Sequence, residues 1–115
     1  MVLVTKYRHP VLVGEVKDLV YNTVKDIFSE RGLSLLEING EADHIHILYE
    51  ADPYTSPGEL VNVIKTKTSR FARKTYGETL LKPYYWKPYF WSDSYFVATV
   101  SENSLSVVRA YIQNQ

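Results

Sequence analysis

The sequence predicts a mixed α+β fold with the element order βαββαβα. Two observations carry this. Apolar residues recur at helical spacing through residues 13–31 and again through residues 57–76. Around them lie short runs rich in β-branched and aromatic residues, bounded by Gly, Pro, Asn and Asp. Val2–Val4 reads as the first short strand, followed by basic Lys6 and Arg8 and interrupted by Pro10. The first helix presents Val13, Val16, Val20, Val24, Ile27 and Phe28, and Gly32 stops it. Leu33–Ile38 is the second strand, and Asn39-Gly40 carries the composition of a hairpin turn. A third strand runs to about Tyr49, and Asp52-Pro53 and Ser56-Pro57-Gly58 mark a loop. The second helix buries Leu60, Ile64, Phe71 and Ala72, and Gly77 closes it. Residues 78–89 are aromatic, basic and broken by Pro83 and Pro88. Phe90–Val100 reads as the fourth strand, with a polar interruption near Ser92–Ser94. Ser101 or Asn103 is positioned to cap a last helix that buries Leu105, Val108 and Ile112. The first six elements match the ferredoxin-like βαββαβ pattern, an antiparallel sheet with two helices on one face, to which a C-terminal helix is added.

Composition narrows the function. At 115 residues the chain is one domain, 1–115, with a modest core, and 45% apolar and 23% charged residues are ordinary for a soluble protein. No run of 18 apolar residues and no signal peptide are present, so no membrane partner is expected. The absence of cysteine excludes a disulfide framework and thiolate metal ligands, and is compatible with the cytoplasm. Net charge is zero, but its distribution is uneven. Residues 60–88 carry seven Lys or Arg against one acid, whereas residues 9–59 carry three against ten. A neutral chain with a basic half can bind phosphate on one face, although such a run can equally be a solvated helix face. Ten tyrosines, with Tyr84 to Phe96 especially aromatic, offer rings for stacking on bases, for a core or for a subunit interface.

The strand Glu41-Ala-Asp-His-Ile-His-Ile-Leu-Tyr-Glu50 is the most informative stretch. Alternation along a strand points His44 and His46 to one face and Ile45 and Ile47 to the other. Two neutral imidazoles side by side can bind a divalent metal, with Glu41 and Asp43 just before them. In a ferredoxin-like sheet this strand is central, so the pair faces away from the two packing helices. Tyr111 and Gln115 stand one turn apart on the last helix, which is the candidate to cover that face. A glutamine oxygen can ligate a metal, and a tyrosine hydroxyl can act as a nucleophile. Taken alone, Tyr111 is one of ten tyrosines and Gln115 a terminal residue expected to fray.

In combination these residues resemble the small single-tyrosine HUH transposases of bacterial and archaeal insertion sequences. The histidine–hydrophobic–histidine motif is His44-Ile45-His46. Thr5-Lys6-Tyr7-Arg8-His9-Pro10-Val11-Leu12 resembles the family's Lys-Tyr-Arg element, and Ile64-Lys65-Thr66-Lys67-Thr68-Ser69-Arg70-Phe71 its basic helix. Phe90-Trp91-Ser92-Asp93-Ser94-Tyr95-Phe96-Val97 resembles its Trp-containing segment, and Tyr111-Ile112-Gln113-Asn114-Gln115 its closing Tyr-Ile-x-x-Gln. The resemblance implies cleavage and rejoining of single-stranded DNA through a 5′-phosphotyrosine link on Tyr111. It implies a divalent ion, Mg2+ with Mn2+ as substitute, held by His44, His46 and Gln115, with Glu41 or Asp43 completing the set. It also implies a homodimer binding DNA hairpins at the element ends, with Lys6, Arg8, Lys65, Arg70 and Arg73 as phosphate contacts. The alternatives are a hairpin-binding relative without catalysis, inactive or truncated, and a replication-initiator nuclease of the same HUH class. A phosphoesterase with two His-x-Thr/Ser pairs is disfavoured, because His9 has no matching partner.

Overall fold

The computed structural model describes residues 1–115. Its elements are β1 (Val2–Thr5), a short turn of 3-10 geometry (Lys6–Arg8), α1 (Gly14–Glu30), β2 (Leu35–Glu41), β3 (His44–Tyr49), α2 (Pro57–Tyr76), β4 (Trp91–Phe96) and α3 (Glu102–Gln113). The four strands form one antiparallel sheet in the order β2-β3-β1-β4, so the expected α+β, ferredoxin-like pattern with an added C-terminal helix is present.

The two long helices pack on one face. Val16, Val20, Val24, Ile27 and Phe28 of α1, and Leu60, Val61, Ile64 and Ala72 of α2, are buried against Leu3, Ile45 and Ile47 of the sheet. The first-helix stripe therefore holds, except that Val13 is the N-cap and more than half exposed. At the other end, Gly32 takes φ 66° and sends its N–H to the Ser29 carbonyl while Leu33 N–H reaches that of Phe28. This left-handed closure favours glycine. In α2, Phe71 is 41% exposed rather than buried, because the buried positions follow 60, 64, 68 and 72. Thr68 takes the place of an apolar residue there. Its hydroxyl donates to the Ile64 carbonyl at 2.6 Å and accepts from Trp91 Nε1 at 2.8 Å, so neither polar group is buried unpaired. Ser56 caps the start of α2 by accepting from Glu59 N–H at 3.1 Å.

The expected Asn39-Gly40 turn is not one. β2 continues through both residues to Glu41, and the reversal falls on Ala42-Asp43. Gly40 sits opposite Ile45 in the ladder, and a Cβ there would lie 2.2 Å from the His44 carbonyl oxygen. The glycine serves a close approach of two backbones, not a turn. The fourth strand is also shorter than expected: it ends at Phe96, and Ser92–Ser94 lie within it, next to a register shift against β1 between Leu3 and Thr5. On α3, only Ile112 is buried, while Leu105 and Val108 are half-buried. That helix lies on an edge of the sheet and has less apolar surface to cover.

No helix is long and apolar enough to cross a membrane.

Candidate active site

Pairing fixes which side chains share the open face of the sheet. His44 lies opposite Glu41 on β2 and Val4 on β1, and His46 opposite Asn39 and Val2. Strand alternation thus sets Glu37, Asn39, Glu41, His44 and His46 on the face opposite α1 and α2. The two imidazoles lie 5.0 Å apart between ring centroids, at 83° to one another.

Each histidine is held in a different way. Asp43 Oδ1 accepts from His44 Nδ1 at 2.8 Å, leaving Nε2 as the ring's free lone pair. The other carboxylate oxygen of Asp43 accepts from Arg8 Nε at 2.9 Å. The His44 hydrogen bond, and then Arg8, hold the Asp43 carboxyl below its ordinary range, so it stays an acceptor. Burial, with the neighbouring His44 adding to it, lowers the pKa of His46 and favours the neutral ring. A neutral imidazole is the form that ligates a metal.

α3 lies across β2 on the same face. Glu37 Oε1 accepts from Arg109 Nε at 2.7 Å and from Gln113 Nε2 at 2.6 Å, and Asn39 Nδ2 donates to the Ile112 carbonyl at 3.1 Å. These bonds set the rotation of the helix so that Tyr111 comes edge-on to His46, with ring centroids 5.9 Å apart. Tyr111 remains 62% exposed. Gln115 is half-buried, with its N–H on the Ile112 carbonyl at 3.3 Å, so the expected fraying is not seen. Its Oε1 is buried and has no hydrogen-bond partner. An orphaned buried oxygen is costly unless something else satisfies it, and a cation is one such partner. Two neutral imidazoles on one face are a donor pair that can hold a divalent ion. Glu41, Asp43 and His44 also bring ligand atoms within 4.8 Å of one another. Both oxygens of Asp43 are already engaged, so its present work is to orient His44.

The five basic residues do not form one cluster. Arg8 joins the histidine site through Asp43 and is otherwise exposed. Lys65 and Arg73 line a polar groove of about 400 Å3 between α2 and the segment entering β4, together with Asn62, Ser69, Tyr89 and Asp93. Lys65 Nζ donates to the Ser92 and Ser94 carbonyls at 2.7 and 3.2 Å, and Arg73 donates to that of Pro88. Burial lowers the Lys65 pKa, opposed by Asp93. Lys6 reaches that rim, 3.5 Å from Asp93. Arg70 stands apart, over the Phe71 ring. A second concavity of about 430 Å3, between α1 and β2, contains neither the histidines nor Tyr111.

Sequence reasoning did not single out Glu37, Asn39, Arg109 or Gln113, although they place the tyrosine helix. The signal available was the alternation Glu37-x-Asn39-x-Glu41, three polar residues on the histidine face of one strand.

The segment between β1 and α1 is the one strained stretch of backbone. Tyr7 and Arg8 are consecutive non-glycine residues with φ of 58° and 53°. Each left-handed residue costs about 1–3 kcal/mol and persists only where the surroundings dictate it. Here Thr5 is fully buried, and its hydroxyl lies 2.8 Å from the His9 carbonyl and 3.2 Å from that of Asp43. The Tyr85 hydroxyl, its pKa pushed up to about 12 chiefly by burial, donates to the Lys6 carbonyl at 2.9 Å. The outcome is directional: Arg8 is aimed at Asp43, and Tyr7 is turned the other way, onto Trp86 and Tyr89.

Comparison with known proteins gives the family. A family model described as "Transposase IS200 like" matches residues 1–115. The ISDra2 transposase TnpA of Deinococcus radiodurans is 34% identical over 110 residues, covering 96% of this chain and 77% of that protein. The transposase for insertion sequence element IS200 of Salmonella typhimurium is 30% identical over 115 residues, covering all of this chain and 74% of its own length. A crystal structure of a protein from Deinococcus radiodurans R1 superposes with a TM-score of 0.76 at 34% identity, over 99% of this chain and 86% of that one. With its open-face histidines, its tyrosine helix and a match along its whole length, this chain belongs to the IS200-like transposase family.

Proposed function

We propose that this chain cleaves and rejoins single-stranded DNA at insertion-sequence ends, with Tyr111 as nucleophile. The observation that supports it best is the edge-on approach of Tyr111 to His46, 5.9 Å between ring centroids, on a helix that belongs to neither packing layer of the core. The Tyr111 oxygen attacks the scissile phosphorus, forming a P–O bond to the ring as its phenolic proton is released to solvent. The bond to the 3′-oxygen breaks, its electron pair leaves with that oxygen, and a proton completes a free 3′-hydroxyl. The DNA 5′-phosphate is then esterified to Tyr111. Attack by another 3′-hydroxyl on that ester reverses the step, so the bond is rejoined without an external energy source.

A divalent ion, Mg2+ or Mn2+, when held by His44, His46 and Gln115, supplies Lewis-acid polarisation of the phosphate and stabilisation of the leaving oxygen. Asp43 keeps His44 in the tautomer with Nε2 free, and Glu41 is positioned to add an oxygen ligand. Arg8, whose Nε alone is engaged by Asp43, has two further nitrogens to offer a phosphate beside the histidines. Lys6, Lys65, Arg70 and Arg73 serve the DNA backbone further away. DNA hairpins at the element ends are the expected ligand, the working unit is a homodimer, and the cytoplasm, where such DNA lies, is the expected compartment.

Tyr111→Phe tests the nucleophile. Incubated with single-stranded end DNA and Mg2+ or Mn2+, the native chain should yield a denaturation-resistant protein–DNA adduct. The variant should yield none while still binding the DNA. An undiminished adduct in the variant would remove Tyr111 from the mechanism.

A further inference from the structure

The strained turn that aims Arg8 at the histidines also builds a second surface. Tyr7 lies parallel to Trp86, with 9° between planes and 5.9 Å between centroids, and Tyr89 closes the group edge-on to both at 5.8 and 6.0 Å. A core would bury such rings. Here Tyr7 is 55% and Trp86 71% exposed, although large apolar surfaces are costly to leave in water. The Lys6 ammonium stands 5.5 Å from the Tyr7 centroid and 5.1 Å from that of Tyr89. Tyr89 also lines the polar groove that holds Lys65 and Arg73. Exposed rings, a cation over two of them and a cationic groove alongside form one continuous surface. One carboxylate, Asp93, interrupts it, and that group is paired with Lys6.

We propose that the Tyr7–Trp86 pair is a stacking platform for an unpaired base of single-stranded DNA, whose flanking phosphates run toward Lys6 and the Lys65–Arg73 groove. The occupant follows from charge and shape. A π-face bearing a neighbouring polyanion matches stacked rings beside ammonium and guanidinium groups. A paired base in a duplex does not offer its face. The platform therefore selects unpaired over paired DNA, whereas the groove alone would hold both. It rests on the reading of the chain as a single-stranded DNA enzyme, but it contributes binding and not chemistry.

The chain has two tryptophans, and Trp91 is buried with its Nε1 on Thr68, so Trp86 is the one that a stacked base can quench. Oligo(dT) should quench the emission of the full-length protein, and a fully paired blunt duplex should not. Trp86→Ala should weaken oligo(dT) binding by about 5- to 150-fold, the range expected for losing one stacked base. The slope of affinity against salt should be unchanged, because no charge is removed. Trp86→Phe should abolish the quench but restore most of the affinity. The proposal is overturned if Trp86→Ala binds oligo(dT) as tightly as the native chain, or loses duplex binding to the same degree. It is also overturned if Trp86 emission depends on protein concentration without DNA, which would make the patch a contact between copies. Adduct formation is measured in parallel. A quench without any adduct sinks the proposed chemistry and leaves the platform; an adduct without a quench does the reverse.

Discussion

The two halves of the candidate site are built to different standards. The histidine half lies on β3, an interior strand paired with β2 on one side and β1 on the other. Beneath the imidazoles, Ile45 and Ile47 are buried in the main core. Moving His44 or His46 would require breaking two ladders and exposing that core. The tyrosine half lies on α3, which buries Ile112 fully and holds to β2 through Glu37, Asn39 and their partners. Those bonds are mostly solvent-exposed, and exposed ion pairs contribute little, about 0–1 kcal/mol each. The histidine half is thus fixed by backbone, whereas the tyrosine half is placed by a few side chains that can let go. Variants that perturb each half should differ in kind: those under β3 should unfold the protein, and those under α3 should uncouple the tyrosine while the fold survives.

The largest effect is expected from Gly40→Ala. The added methyl would meet the His44 carbonyl at 2.2 Å, a backbone atom in a paired strand. Relief requires β2 or β3 to shift, so a loss of about 2–4 kcal/mol is expected in denaturant unfolding, with the histidine register disturbed. An unchanged unfolding midpoint would show that β2 is as loosely held as α3. Asp43→Asn is the chemical counterpart. It keeps the shape but frees the His44 tautomer and releases Arg8. Loss of such an orienting carboxylate lowers metal affinity by about 10- to 100-fold. Titration with Mn2+ should show this without loss of folding, and equal affinity would mean that Asp43 orients nothing.

The same division explains what was legible from the sequence. Alternation on β3 revealed that His44 and His46 share a face, because strand periodicity is local and unambiguous. The i, i+4 spacing likewise related Tyr111 to Gln115. What failed was information carried by other strands. Asn39-Gly40 has turn composition, yet the demand on Gly40 comes from His44 across the ladder, which local propensity does not register. Phe71 reads as core, but the buried spacing of α2 is set by Thr68 meeting Trp91, a contact between residues 23 positions apart. The docking of α3 depends on Glu37 meeting Arg109 and Gln113, more than 70 positions apart, and only the folded sheet brings them together. The left-handed Tyr7 and Arg8 were invisible for the same reason, since neither residue type advertises a positive φ.

A smaller and more selective effect is expected from Glu37→Ala. Both side-chain anchors of α3 on that carboxylate would be lost, while Asn39 would still hold the Ile112 carbonyl. Amide exchange should quicken in Glu102–Gln113 and stay unchanged in β3, and adduct yield should fall several-fold, with metal affinity reduced by no more than the share that Gln115 contributes from the same helix. Equal quickening in β3 would mean that the two halves form one cooperative unit.

Acid should act on the same joint most gently. Hydrogen bonds from Arg109 and then Gln113 depress the Glu37 pKa below its ordinary value. A carboxyl whose pKa is lower in the docked state contributes stability that is fully present above its undocked pKa. That contribution is lost as pH falls through the docked one. From neutral pH down to the ordinary glutamate range α3 should therefore stay docked, and loosening should begin only below it. The Asp43 carboxyl is depressed too, by His44 and Arg8, so the histidine half has its own acid limit in the same direction. Glu37→Gln separates the two. It keeps a hydrogen-bond acceptor for Arg109 but does not titrate, so acid quickening of exchange in α3 should vanish in that variant while any acid change in β3 persists. If α3 in Glu37→Gln still loosens at the same pH as in the native chain, the joint is held by something other than this carboxylate.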